Sequence, residues 1–182
     1  INFLFSQDYT INWSNKISEN TFSINLHDEH WFGFYAEPIG DLNDDGVTDI
    51  VVSAVGDNDG GVNRGALFIF FMNSNGSFTN YQKISQTEGG FNGILSDFNR
   101  FGTGLKYLGD INNDGFFELA VAAEYDYSIK YRAGALYILS ISNNGIVQSH
   151  IRLPDINNFL NLSVWDVFGS DVTTVGDLDN NG

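Results

Sequence analysis

Three stretches of the chain set side-chain oxygens at alternate positions of a short loop. In Asp41-Leu42-Asn43-Asp44-Asp45-Gly46-Val47-Thr48-Asp49 the oxygen side chains fall at positions 1, 3, 5 and 9, with glycine at position 6. Asp110-Ile111-Asn112-Asn113-Asp114-Gly115-Phe116-Phe117-Glu118 repeats the pattern with Glu in ninth place, and Asp177-Leu178-Asp179-Asn180-Asn181-Gly182 begins it again. Calcium takes roughly six to eight oxygen ligands, and alternate residues of a tight loop aim their carboxylates at a common centre while an interposed carbonyl adds another donor. Glycine at position 6 permits the sharp turn that wraps the chain around an ion. A solvated turn needs only one or two such residues. Three copies in register, with Asp41, Asp45 and Asp49 crowded into one loop, are self-repulsive without a cation. The loops are not EF-hands: their twelfth position is Val52 or Val121 instead of a bidentate Glu, and a β run follows where a helix would be required.

Other chemistries are poorly supplied. The chain has no cysteine, which removes thiolate metal sites and thiol nucleophiles. It has no Gly-x-Ser-x-Gly elbow, and nine of its 23 acids fall in the calcium loops, so a non-catalytic role is expected. His27-Asp28-Glu29-His30 holds the one histidine pair; on an extended segment rings three residues apart point to opposite faces, so a solvated loop is expected there. His150 is expected as a surface residue of a strand. Eight Lys and Arg against 23 Asp and Glu give a net charge of −15, which excludes nucleic acid and an anionic membrane surface as partners. The longest apolar stretches, such as Ala66–Met72, are too short to span a bilayer, so no membrane insertion is expected in this segment. The acceptor patterns at Asn12, Asn75 and Asn161 are those that chance gives an Asn-rich chain.

The acidic loops must be held by whatever repeats with them. Phe32-Gly33 recurs as Phe101-Gly102, Gly40-Asp41 as Gly109-Asp110, and Gly65-Ala66-Leu67 as Gly134-Ala135-Leu136, each 69 residues on. Phe168-Gly169 and Gly176-Asp177 follow 67 residues later. Each period reads as four strands: Phe32–Gly40, Asp49–Val55, Gly65–Met72 and Phe78–Ile84, then Phe101–Gly109, Glu118–Ala123, Gly134–Ser140 and Ile146–Leu153. Asn75-Gly76 supplies left-handed residues for a tight hairpin. No useful 3.6-residue period exists, so no helix is expected. Ile50-Val51-Val52 and Leu67-Phe68-Ile69-Phe70-Phe71 are apolar without alternation, so both faces of those strands must be covered. A four-stranded antiparallel sheet covered on both faces by copies of itself is a propeller blade. The expectation is an all-β propeller cut from a longer array: a single partial domain over 1–182, divided into outer strands of an earlier blade and a linker (1–31), blades over 32–100 and 101–167, and the start of another over 168–182. Ile1–Phe5 and Tyr9–Ile17 are the expected strands of the earlier blade.

Phe-Gly, then Gly-Asp-x-Asn-x-Asp-Gly-x-x-Asp, an apolar strand and a Gly-led strand resemble the FG-GAP repeat, the blade unit of integrin alpha-subunit propellers and of many secreted bacterial surface proteins. The resemblance covers residues 32 to 182 and implies a seven-bladed parent with structural calcium between the first two strands of certain blades. It assigns ligand roles to Asp41, Asn43, Asp45, the carbonyl of Val47 and Asp49, to Asp110, Asn112, Asp114, the carbonyl of Phe116 and Glu118, and to Asp177, Asp179 and Asn181. The Gly-Ala-Pro of the family is replaced by Ser53-Ala54-Val55 and Ala122-Ala123-Glu124. The implied function is a calcium-binding extracellular or cell-surface module for adhesion or ligand binding. Sites of modest affinity, about 10⁻⁴ to 10⁻³ M, fill at extracellular calcium levels. A protein or carbohydrate ligand would use the loops around Asp57 to Gly61 and around Tyr125, Tyr127 and Tyr131, with the remaining blades of the parent as further partners. The alternative is a propeller in, or accessory to, a secreted polysaccharide-acting enzyme or lectin.

Overall fold

The computed structural model describes residues 16–17, 24, 26–153 and 160–176. Two four-stranded antiparallel sheets follow one another, each with its strands in sequence order. The first contains β1 (Phe32–Pro38), β2 (Ile50–Ala54), β3 (Ala66–Met72) and β4 (Phe78–Ile84). The second contains β5 (Phe101–Gly109), β6 (Phe117–Ala123), β7 (Ala135–Ile141) and β8 (Val147–Leu153). These are two successive propeller blades, and every strand end lies within two residues of its expected place.

The apolar runs are two alternating patterns superposed. Leu67, Ile69 and Phe71 of β3 face the second blade, where they join Leu105, Leu119, Val121, Tyr137 and Leu139. Ala66, Phe68 and Phe70 face the other way, packing with Val52, Phe78 and Ile24. Period-two geometry sends successive side chains to opposite faces, so a strand sandwiched between two layers is apolar at every position. Each fully buried Leu, Ile or Phe contributes about 1.5 to 3 kcal/mol. Phe91, Phe101 and Tyr137 add an aromatic cluster at the seam, with ring centroids 5.1 to 5.6 Å apart. On the far face of the first blade, Ile17, Leu26 and Tyr81 pack around the Phe68 and Phe70 cluster. The expected strands over Ile1–Phe5 and Tyr9–Ile17 otherwise lie outside the described residues.

Blades are fastened by the loops between their second and third strands. The amides of Phe98, Arg100 and Phe101 donate to the carbonyls of Val62, Asn63 and Arg64, at 2.7, 3.1 and 2.9 Å. One repeat later Trp165, Val167 and Phe168 donate to Tyr131, Arg132 and Ala133 in the same way, at 3.1, 3.2 and 2.8 Å. Gly65 and Gly134 sit inside these contacts with left-handed φ of +87° and +84°, and a Cβ on either would land on the backbone of Phe101 or Phe168.

Two local expectations are corrected. Asn75 is not left-handed: the Gly76 amide donates to Asn73 at 2.8 Å and the Asn73 amide to Ser77 at 2.7 Å, with only Gly76 at positive φ. This is a turn followed by a glycine bulge, a hairpin in which one left-handed residue suffices. The second is a 3-10 turn over Asp28–His30, where no helix was expected. One turn is too short to leave a periodic signature in sequence.

Candidate metal centre

The first acidic loop is the β1–β2 hairpin, closed at its base by the Ile39 amide on Asp49 (2.9 Å) and the Asp49 amide on Gly40 (2.7 Å). Asp41 accepts the amides of Asp45 (2.9 Å) and Gly46 (2.7 Å). Asn43 Oδ1 also accepts from Asp45, and Asp45 Oδ1 accepts from Val47 (2.9 Å). In the β5–β6 hairpin the pattern recurs bond for bond: Asp110 accepts from Asp114 (3.0 Å) and Gly115 (2.9 Å), Asn112 from Asp114, and Asp114 from Phe116 (2.9 Å). The wrap depends on two left-handed residues per loop, Asp44 and Gly46 in one, Asn113 and Gly115 in the other. Asp, Asn and Gly tolerate that region best.

The ninth-position acids are inside the protein. Asp49 is fully buried and accepts the amides of Leu42 (3.0 Å) and Met72 (2.8 Å), which ties the loop to the end of β3. Burial lifts its carboxyl above the ordinary aspartate value, against the pull of those two amides, and the charges of Asp45 and Asp41 add to the rise. Glu118 is 4% exposed; its Oε2 accepts the Ile111 amide at 3.0 Å, while its buried Oε1 has no partner. A buried acceptor left unsatisfied costs about 1 to 3 kcal/mol.

Among the described residues no three acids or histidines converge on one point as a ready cluster. The loop carboxylates are turned onto the loops' own amides. The donor set nevertheless suits a hard cation. Each loop offers only oxygens, three short side chains on one turn, an adjacent carbonyl and a buried acid. In the second loop one oxygen of that acid is idle. Asp177, Asp179 and Asn181 lie outside the described residues.

The repeat built around the second loop is matched by a family model described as "FG-GAP repeat" over residues 108–139. Integrin alpha-PS5 of Drosophila melanogaster is 33% identical over 157 residues, 84% of this chain and 14% of that protein. Integrin alpha-6 of Homo sapiens is 38% identical over 114 residues, 62% and 9% of the two chains, and integrin alpha-PS3 of Drosophila melanogaster is 31% identical over 154 residues, 84% and 13%. The chain belongs to the integrin-alpha-like FG-GAP repeats. It spans about one seventh of the length of the first of these relatives. In this FG-GAP chain the matched segment runs from the end of β5 through the acidic hairpin and β6 into β7.

The remaining candidates are rearranged by the fold. The expectation that His27 and His30 face apart fails, because the 3-10 turn brings their rings to 4.9 Å, edge to face. His30 is buried, with Nδ1 3.3 Å from the carboxylate of Asp57, and a cleft there is shared with Lys83 and Glu88. His150 is half-buried against Phe91, at 5.1 Å, where a plain surface position was expected. Asp57, at the start of a loop expected to meet a ligand, and its repeat counterpart Asp126 are instead buried, each paired with a cation from the blade's fourth strand, Lys83 at 3.2 Å and Arg152 at 2.6 Å. Both pairs obey the 69-residue period, and aligning all charged residues across repeats would have found them.

Proposed function

We propose that this FG-GAP chain is a non-catalytic, calcium-stabilised propeller module that works outside the cell in adhesion or ligand binding. The observation that carries the calcium reading is the bond-for-bond recurrence of the Asx-type amide contacts in two oxygen-rich hairpins, one of which keeps an idle buried carboxylate oxygen on its ninth-position acid. Asp41, Asn43, Asp45, the Val47 carbonyl and Asp49 would hold one ion; Asp110, Asn112, Asp114, the Phe116 carbonyl and Glu118 would hold another. Asp177, Asp179 and Asn181 repeat the donor types for a third. Bound calcium supplies only charge neutralisation and oxygen coordination. The protein's part is to fix the loop conformation through the Asx-type amide contacts and to anchor it to β3 through Asp49. A rigid hairpin keeps β1 and β2 in register, which positions the loops at the opposite end of each blade.

Likeness to integrin alpha chains supports the adhesion reading, and those exposed opposite loops are its candidate contact surface. A ligand that binds only the folded state raises the melting temperature. Calorimetry with calcium against chelator should show a rise of several degrees, and Asp45→Ala and Asp114→Ala should each remove part of it. A melt that ignores chelation would overturn the structural role of calcium.

A further inference from the structure

The second blade opens a cavity where the first blade is filled. It measures about 410 Å³ and lies between the link from β4 to β5 and the sheet face formed by β7 and β8. Its polar lining is Asn92 and Ser96 from the link, Ser128 from the β6–β7 loop, Tyr137 from β7, and His150 and Arg152 from β8. Small-molecule sites run from about 300 to 1,000 Å³, and a cavity at the low end of that range seats one small ring.

The 69-residue period shows what opened it. Ile24 of the first repeat becomes Gly93, Phe68 becomes Tyr137 and Tyr81 becomes His150. Ile24 and Phe68 are buried in one cluster with Tyr81 packed against it, so apolar side chains occupy that space in the first blade. At Gly93 a Cβ would lie 2.4 Å from the Phe91 ring and 3.1 Å from Nε2 of His150, so a side chain there cannot coexist with those rings as they stand. The first blade keeps a cleft of about 360 Å³ at the outer positions His27, Asp59 and Lys83, but the Lys83 ammonium pairs across it with Asp57, Asp59 and Glu88. The matching positions of the second blade are Ser96, Ser128 and Arg152.

The wall of the cavity is polar, aromatic and electrically balanced. Tyr137 is fully buried, yet its hydroxyl reaches Oδ2 of Asp126 and the Ile94 carbonyl only at 3.4 Å each, longer than an ordinary O–H···O bond. A donor so placed gains from a closer acceptor. Arg152 is paired at 2.6 Å with Asp126 behind it, and the Ser128 hydroxyl bonds to both. The His150 ring lies 6.1 Å from that of Tyr137 and 5.1 Å from that of Phe91, which makes one side of the cavity an aromatic surface.

We infer that this cavity is a binding site for one neutral hexose ring. It deepens the ligand-binding reading above, for which it names a ligand class, and rests on it. A sugar hydroxyl both donates and accepts, as do the side chains of Asn92, Ser96 and Ser128. The C–H face of the ring is apolar and suits the aromatic side of the cavity. Charge argues against the other classes: an anion meets a guanidinium that is already paired, on a chain of net charge −15, and a cation finds Asp126 already taken by Arg152.

The test uses the full chain with calcium and the methyl glycosides of glucose, galactose, mannose and glucuronic acid, with affinities from saturation-transfer NMR titrations. At least one neutral glycoside should bind saturably, and the glucuronide at least about tenfold more weakly. Tyr137→Phe copies the first blade and His150→Phe keeps an aromatic ring in place; each removes hydrogen-bonding atoms from the wall and should weaken binding about tenfold. Gly93→Ile, which also copies the first blade, should refill the cavity and abolish binding. Thermal melts establish that each variant is folded, and where Gly93→Ile is not, the other two decide. Failure of every neutral glycoside to bind, tighter binding of the glucuronide, or undiminished binding in the folded variants would overturn the hexose site and leave the wider ligand-binding reading standing. That reading falls only if, in addition, cells fail to attach to a surface coated with the chain.

Discussion

His30 and Asn99 stand 69 residues apart at the same place in successive repeats, and they answer the same local problem with different chemistry. Asn99 is neutral at every pH and uses its side chain on the Ser96 amide (2.7 Å) and the Tyr125 carbonyl. His30 instead meets Asp57, a fully buried acid that also takes Lys83, while Lys83 reaches Asp59 and Glu88 at 3.4 and 3.9 Å. Burial lowers the proton affinity of His30 more than Asp57 raises it, and His27 and Lys83 push the same way as burial. The folded value therefore lies below the ordinary 6.5, and as pH falls the unfolded chain binds the proton first. The stability linked to a neutral His30 is complete above that value and is lost as pH drops through the window below it. His30→Asn, which copies the second repeat, should flatten the decline in melting temperature from about pH 7 downward. Calorimetry across that range checks this, and an unchanged slope would assign the acid sensitivity to other groups.

Strands are the elements the sequence discloses best, because burial on both faces writes an apolar run and the 69-residue period writes it twice. β3 and β7 were legible for that reason, and so were the acidic hairpins, whose residue types are dictated by left-handed turns and oxygen donors. The seam between blades was not legible. Its bonds run backbone to backbone from Val62, Asn63 and Arg64 to Phe98, Arg100 and Phe101, so side-chain identity leaves little trace of it. A ladder of stacked aromatic and arginine side chains follows from that seam, joining residues as distant as Trp31 and Trp165 through intermediates that no local window contains. The glycines do mark the seam, and they make it testable. Gly65→Ala must accept both φ of +87° and a Cβ driven into the Phe101 backbone, whereas Gly46→Ala meets a similar φ with open space around it. Left-handed strain alone costs about 1 to 2 kcal/mol. Gly46→Ala should lose that much, and Gly65→Ala clearly more, a further drop of about 4 to 8 °C for each additional 2 kcal/mol at this chain length. Equal melts for the two variants would mean that the seam does not bear on blade stability.

Charge is divided along the strands of the whole molecule. In antiparallel blades the β1–β2 and β3–β4 turns share one end, and the β2–β3 loops and the links between blades share the other. At the first end seven acids, Asp41, Asp44, Asp45, Asp49, Asp110, Asp114 and Glu118, stand in loops with no Lys or Arg. At the second, nine acids, Asp28, Glu29, Asp57, Asp59, Glu88, Asp97, Glu124, Asp126 and Asp166, are met by six cations, Arg64, Lys83, Arg100, Lys130, Arg132 and Arg152. The acids that have no basic neighbour are thus the ones where the proposed ions belong, and two divalent ions would neutralise four of those charges in place. This separates calcium from simple screening. Salt shortens the reach of charge repulsion from about 30 Å at 0.01 M to about 3 Å at 1 M. In chelator, added sodium chloride should raise the melting temperature, because it relieves repulsion that the acidic end cannot relieve internally. With calcium saturating, the same salt series should give a much smaller rise, since the repulsion has already been removed at its source. Melting curves over the salt series in both conditions decide the matter: parallel curves would show that the repulsion is spread over the surface and that the acidic hairpins are not its seat.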